Sequence, residues 1–557
     1  MTTTPKPASQ AETADVDGAY PRLSPEQIQA LAALGERCAT KTGDVLFQAG
    51  DTSCDFFVIV AGSVAIVEGY GSEDERLVAL HGRGRFIGEL GLLTGGPVFL
   101  TAVVHEPGAV VRVPTARLRE LVAEDSALGD LILRALLQRR SLLLGLGAGI
   151  RIVGSRFSPD TRRLREFAAR NRLPHRWIDL ERDPEAERLL RALGVAADET
   201  PVVVVRGSRV LRNPSIQELA RLLGLLDPVD GDVSWDLLVV GAGPAGLAAA
   251  VYGASEGLST IAVEGVATGG QAGTSSRIEN YLGFPAGISG AELAERAEIQ
   301  AQKFGARINV AAAATAIAPS ATGYAVTCED GETIQARRVV IATGVRYRRL
   351  PIARLEELEG ISVYYAATIA EAQMCGGDPV VVVGGGNSAG QATLFLAKHV
   401  PLIHLVVREA SLGEHMSRYL ADRIQRTPNV EVHTSTELRE LIGDEALEAV
   451  VVEHDVTGER VTLPARSVFV FIGASPHTEW LGGLLELDDN GYVRTGSDVG
   501  LAGDGEGPLH EPLLLETSQP GVFAAGDVRS GSVKRVATAV GDGSMAVRLV
   551  HEQLAAG

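Results

Sequence analysis

Cysteine is scarce in this 557-residue chain. The four present, Cys38, Cys54, Cys328 and Cys375, include no pair at Cys-x-x-Cys spacing. Their scatter excludes a disulfide framework and a zinc ribbon and fits a reducing, cytoplasmic setting. Positive charge is also short, 51 Lys and Arg against 70 Asp and Glu, for a net charge of −19. That balance argues for a soluble protein and against a polyanion partner, whether nucleic acid or anionic membrane. No uninterrupted run of about 18 apolar residues occurs, so no membrane span is expected. The first residues have neither a basic start nor an apolar core, so no signal peptide is expected, and residues 1–22 read as a disordered tail.

What is present is glycine in patterned places, in a chain long enough for several domains. From Trp235 to Glu264 an apolar run, Leu237 to Val240, feeds Gly241, Gly243 and Gly246 at GxGxxG spacing, and an alanine-rich helical stretch follows. The first glycine permits a tight turn, the second lets backbone approach a pyrophosphate, and the third lets helix pack on strand. A second strand, Ser259 to Val263, ends in Glu264, about 20 residues on, where a carboxylate holds a ribose hydroxyl. The pattern repeats at Val380 to Val383, Gly384, Gly385, Gly386, Asn387, Ser388 and Ala389, a helix, and the strand Leu402 to Val407. Two such units imply two dinucleotides, a flavin adenine dinucleotide (FAD) and its nicotinamide donor.

Further blocks accompany these loops: GGQ (Gly269 to Gln271), IENYLGFP (Ile278 to Pro285), ATG (Ala342 to Gly344), FVFIGASP (Phe469 to Pro476) and TSQPGVFAAGDV (Thr517 to Val528). Together they resemble the pyridine nucleotide-disulfide oxidoreductases, and thioredoxin reductases in particular, over about 320 residues. The resemblance implies an FAD domain in two parts, 233–349 and 473–557, with an NAD(P)H domain, 350–472, inserted between them. It implies a flavin site lined by Gln271, Asn280, Thr343, Gly526 and Asp527, with Arg535 and Val536 opening a helix aimed at the flavin. It further implies a homodimer.

One departure bears on function. Where thioredoxin reductases carry Cys-x-x-Cys, this chain has Ala366, Ala367, Thr368 and Ile369. No catalytic dithiol is expected, and Cys375, without a partner, reads as a structural thiol. Electrons would then leave for an external acceptor: a small redox protein, a quinone or oxygen. The Arg346, Arg348 and Arg349 cluster reads either as a receiver for an acidic carrier or as a solvated hinge. At the nucleotide-selecting position Arg408 suits a 2′-phosphate and Glu409 a bare ribose, making NADPH the expected donor and NADH the alternative.

Two segments precede the flavoprotein part. From residue 23 to 145, short β-like runs between glycines, GDVLFQAGD, FFVIVAGSVAIV and FIGELGLLTGGP, resemble the cyclic nucleotide-binding domain, a β jelly roll closed by helices such as Ala127 to Leu144. The resemblance places a small-molecule effector at Gly88 and Glu89. The family's phosphate-binding arginine is replaced by Val98, leaving Arg83 or Arg85 as substitutes. From 149 to 228, the order of strands and helices, the SRFSPD turn and Thr200-Pro201 resemble an α/β glutaredoxin or thioredoxin fold. Ser158 stands at a helix start where redox chemistry needs a thiolate. This module reads as redox-silent, a docking or spacer element. No metal site is expected.

The expectation is therefore a multidomain NAD(P)H-dependent FAD oxidoreductase, regulated by its N-terminal part. Two other readings stand beside it: a flavin-based redox sensor or scaffold, and a thioredoxin reductase acting through a separate dithiol protein.

Overall fold

The computed structural model describes residues 12–51, 54–71, 75–88, 98–146, 149–183, 186–192, 194–196, 199–205, 209–231, 233–275, 277–278, 280–359, 361–365, 367, 371–372, 375, 377–444, 446–500 and 511–556. The chain divides into two compact units, Met1–Pro228 with Asn309–Ala311, and Val229–Ile308 with Ala312–Gly557. Among the described residues, no helix is long and apolar enough to cross a membrane.

The first unit opens with a helix, Pro25–Leu34. It starts there because Ser24 and Gln27 form a reciprocal capping box ahead of a proline at the first turn. A six-stranded antiparallel jelly roll follows, built on two long strands, Phe56–Glu68 and Thr101–Val113. Their register shifts three times between Ile59 and Val64, and the backbones close in there. A Cβ on Gly108 would lie 2.0 Å from the Ala61 carbonyl oxygen, so only glycine allows the crossing. Phe47, Phe57, Ile59, Ile87, Val104 and Val110 fill the interior. Two helices, Thr115–Glu124 and Ser126–Leu146, complete the fold.

The tail expected over 1–22 is corrected from Glu12 onward. Thr13 exchanges hydrogen bonds with Leu80, and the Glu12 carboxylate accepts from the Gly82 amide and pairs with Arg85 and Arg22. The cause is the buried cation. Arg85 is 5% exposed and also donates to the Thr13 carbonyl, so the segment supplies the anion and acceptor that its burial requires. Arg139, buried, is held by the carbonyls of Ala19, Phe86 and Gly88 and lies 4.4 Å above the Phe86 ring. Burial lowers its pKa to about 10, so it remains charged at neutral pH.

His81, 2% exposed, sits under Tyr20 with its Nδ1 unpaired. Burial, then the Arg139 and Arg85 charges, push its pKa well below the usual histidine value. It is neutral when folded, whereas the unfolded chain takes up a proton as pH falls through about 6.5. Stability is therefore full above that pH and declines below it, by up to ~1.4 kcal/mol per pH unit from this residue. Urea unfolding between pH 7 and pH 5 checks this: the decline should be shallower in His81→Leu, and equal slopes would remove His81 as its source.

The second segment of this unit is a four-stranded mixed sheet, Arg209–Arg212, Val202–Val205, Ile150–Gly154 and His175–Asp179 in spatial order. Helices Pro159–Arg170, Ala186–Ala192 and Ile216–Leu222 accompany it, and the Thr200–Pro201 bond is cis. The Ser158 hydroxyl accepts from the Thr161 amide, so it serves as a helix cap.

In the second unit, strand Ser234–Val240 lies between Thr260–Glu264 and Thr333–Ile341, parallel to both, and Thr333–Ile341 pairs in turn with Val522–Ala524. All the residues of Leu237–Val240 and Val522–Ala524 are buried, as expected of strands covered on both faces. The helices Pro244–Ser255 and Val536–Ala556 cover one face, packing so closely that a Cβ on Gly543 would lie 2.1 Å from the Ala245 carbonyl oxygen. A second, five-stranded sheet carries Val363–Tyr364, Ser467–Val470, Val380–Val383, Ile403–Val406 and Val430–His433, all parallel. A three-stranded antiparallel sheet accompanies it. The chain enters and leaves this region through a two-stranded ladder, Val345–Tyr347 with Ala474–Pro476.

Candidate functional site

The first glycine loop ends strand Ser234–Val240 and caps helix Pro244–Ser255, with Gly243 at the N-cap. Gly241 has φ +104°, and a Cβ there would lie 2.4 Å from the Ala342 carbonyl oxygen. A Cβ on Gly246 would lie 1.8 Å from the Gly241 carbonyl oxygen, which forces glycine at the helix–strand contact. Gly243 faces Gly270, so the GGQ block meets the loop through backbone alone. Bare backbone beside a helix N-terminus fits a pyrophosphate. Glu264 is half-buried, its two oxygens accepting from the Ala242 amide at 2.8 Å and the Val266 amide at 3.0 Å. It braces the loop and retains acceptor capacity for a ribose.

The structure brings Thr343, Gln271, Gly526 and Asp527 to the same sheet end. Thr343 donates to the His477 carbonyl at 2.8 Å, and the Gln271 side-chain amide donates to the Val345 carbonyl. Gly526, φ +75°, approaches Ala245, and its amide is held by Asp542 at 3.1 Å. Asp527 is half-buried and makes no protein hydrogen bond among the described residues. Burial raises its pKa, against the lowering charge of Lys534. An acceptor enclosed but unused fits a polyol ligand. Lys534 donates to the Tyr492 hydroxyl and lies over its ring, Arg535 is exposed, and Val536 begins the last helix. Asn280 stands exposed on its loop and joins none of these contacts.

In the second glycine loop, Gly384 has φ +139° and would place a Cβ 2.2 Å from the Phe471 carbonyl oxygen. Gly386 caps helix Asn387–Leu396 and has open space around its missing Cβ. The Asn387 side-chain Oδ1 accepts from the Ser417 amide at 2.7 Å, Ser388 is exposed and Ala389 is in the core. Arg408, 73% exposed, reaches Glu409 Oε1 at 3.2 Å. Glu409 Oε2 is buried without a partner, against Gly385. An unsatisfied carboxylate oxygen at the loop fits a ribose hydroxyl, and an exposed guanidinium beside it fits a phosphate.

Of the four positions replacing Cys-x-x-Cys, Ala367 is half-buried, while Ala366, Thr368 and Ile369 lie outside the described residues, as does Glu89. Cys375 is buried and contacts the Ser467 hydroxyl, and burial raises its pKa, in keeping with a structural thiol. Val98 is buried in the jelly-roll core, and Arg85 is committed to Glu12 and Thr13 rather than free for a phosphate. The Gly88 carbonyl accepts from Arg139. The arginine cluster is exposed but has protein partners: Arg346 meets His477, Arg348 meets Ser475 and Arg349 pairs with Glu359. These contacts lie around the connecting ladder, Val345–Tyr347 with Ala474–Pro476. Sequence reasoning missed the bracing of the loop by Glu264 and the partners His477 and Glu359.

The family description "pyridine nucleotide-disulphide oxidoreductase" matches residues 235–543, and "cyclic nucleotide-binding domain" matches residues 38–125. A protein described as a 34.2 kDa protein in the rubredoxin operon of Clostridium pasteurianum is 34% identical over 319 residues, 57% of this chain and 97% of its own length. Thioredoxin reductase of Mycolicibacterium smegmatis is 34% identical, over 56% of this chain and 94% of its own. The solved thioredoxin reductase of Lactococcus lactis matches with a TM-score of 0.52 at 26% identity, over 57% of this chain and 98% of its own. Thioredoxin reductases use FAD and NADPH. With both glycine loops intact within the matched span, the chain belongs to the pyridine nucleotide-disulphide oxidoreductase family, as an FAD-dependent oxidoreductase of thioredoxin reductase type with a cyclic nucleotide-binding domain before it in sequence.

Proposed function

We propose that this protein takes electrons from NADPH and delivers them through FAD to an external acceptor, under the influence of its N-terminal unit. The observation that carries this reading is the presence of two intact dinucleotide loops in one unit, together with Ala366, Ala367, Thr368 and Ile369 where a dithiol would stand. When bound, FAD accepts a hydride from the nicotinamide and passes the electrons on singly or in pairs.

The chain's residues hold and orient. Gly241, Gly243 and Gly246 present the helix N-terminus to the FAD pyrophosphate, Glu264 accepts from the ribose, and Asp527 accepts from the polyol chain. Gln271 and Thr343 border the flavin. Arg535 and Val536, at the start of the last helix, place positive potential at its edge. Gly384, Gly386, Asn387, Ser388 and Ala389 form the corresponding cradle for the nicotinamide nucleotide, where Arg408 meets the 2′-phosphate. Glu409 leaves NADH usable as well.

The acceptor is a small redox protein in this reading, supported by a relative described as lying in a rubredoxin operon. Quinones and oxygen are the competing acceptors. The protein acts in the cytoplasm as a homodimer. Its second segment is a thioredoxin-like docking or spacer module, since Ser158 stands as a helix cap where a reactive thiol would be. Gly88 and Glu89 mark the place of a small-molecule effector in the jelly roll.

Anaerobic titration with NADPH and then NADH, followed by flavin absorbance, tests the reading. The full chain is expected to bleach with NADPH, and Arg408→Ala to lose about tenfold in NADPH affinity with little change toward NADH. A chain lacking residues 1–228 is expected to bleach as well, with altered turnover toward its acceptor. Flavin that stays oxidised in every form would favour the sensor or scaffold, and identical turnover and partner binding without the N-terminal unit would end the regulatory part.

A further inference from the structure

The parallel register of strands Ile403–Val406 and Val430–His433 sets His404 opposite Glu431 and Val406 opposite His433. Side chains alternate along a strand, so Glu431 and His433, two residues apart, share the face on which His404 stands beside them. His404 Nδ1 lies 3.2 Å from His433 Nε2 and 3.2 Å from Glu431 Oε2, and the three donor atoms fall within 4.8 Å of one another. Among the described residues, no other group of three His, Cys, Asp or Glu donors converges in this way.

Hydrogen bonding alone leaves this cluster under-satisfied. His404 Nδ1 has at most one proton, which it gives either to Glu431 or to His433. His404 is 4% exposed at its side chain, and its Nε2 has no partner in the surrounding core. No protein group therefore fixes its tautomer from the far side, and whatever occupies the Nδ1 side decides it. Two imidazoles and one carboxylate suit zinc and related cations, and three protein ligands leave a fourth position for water. Glu431, with its side chain 59% exposed, opens that position to solvent.

We propose that His404, Glu431 and His433 form a binding site for a divalent transition-metal cation of the zinc type, completed by water. The ion would join Val430–His433, which ends the five-stranded sheet, to its neighbour. None of the three belongs to either glycine loop, so the site stands or falls independently of the flavin chemistry.

The test uses the tag-free full chain, dialysed against Zn2+, freed of excess ion and assayed for bound zinc by elemental analysis. The wild type is expected to retain a single zinc and to melt at a higher temperature with it. Co2+ should give ligand-field absorption beyond the flavin bands. Glu431→Gln combined with His433→Asn changes only side chains outside the core and is expected to weaken binding by at least about tenfold, with flavin content and circular dichroism unchanged. Because His404 is buried, its own substitution is left out of the test. A wild type that retains no zinc, or a double variant that retains it equally, would overturn the assignment.

Discussion

A chain in which Gly246 is replaced by alanine is expected to purify without its yellow colour. The added Cβ would stand 1.8 Å from the Gly241 carbonyl oxygen, and that neighbour is backbone, so no side-chain rotation relieves the clash. The helix must lift from the strand or the loop must open, and either movement displaces Gly243 from its contact with Gly270. Distortions of this kind cost roughly 3 kcal/mol or more, enough to lower FAD occupancy by about a hundredfold. The ratio of flavin to protein absorbance measures it. Gly413→Ala is the control, because a Cβ there meets nothing within 4 Å and needs no left-handed backbone. Normal loading of the Gly246→Ala protein would mean that the loop does not hold the cofactor.

Gly384→Ala is expected to give the complementary result: a yellow protein that NADPH no longer bleaches. This residue combines φ +139° with a Cβ position 2.2 Å from the Phe471 carbonyl oxygen. Both strain and contact fall on the strand-to-helix turn of the second sheet, leaving the first glycine loop untouched. Reduction by NADPH should slow by about a hundredfold, for a cost of roughly 3 kcal/mol, while dithionite still bleaches the protein fully. Stopped-flow absorbance separates the two reductants. An unchanged NADPH rate would dissociate this loop from the donor, and failure with both reductants would point to general damage.

The parts legible in the sequence were those where local and tertiary demands coincide. Val380–Val383 matches its expected range because a buried parallel strand reads as a continuous apolar run. The hairpin strands were harder. Ala314–Ser320 has a single buried residue, so its apolar signal is weak, and Arg209–Arg212 exists chiefly because it pairs with Val202–Val205. Residues 12–22 are ordered by Arg85 and Leu80, partners far along the chain that composition does not reveal. In the site, glycine spacing exposed both loops, whereas the commitments of Arg346 and Arg349 depend on His477 and Glu359. The His404, Glu431 and His433 cluster is invisible as a motif because strand register, not spacing, brings it together.

The pairing of Thr333–Ile341 with Val522–Ala524 has a consequence for synthesis. The earlier strand leaves the ribosome long before its partner, and the whole five-stranded sheet is translated in the interval. Until Val522 emerges, Thr333–Ile341 keeps an unpaired edge, open to the wrong neighbours. The jelly roll and the five-stranded sheet, whose strands are complete by then, can close first, leaving the sheet of the first glycine loop to finish last. Loss of the final few dozen residues would thus leave an adhesive nascent chain rather than a merely shortened enzyme.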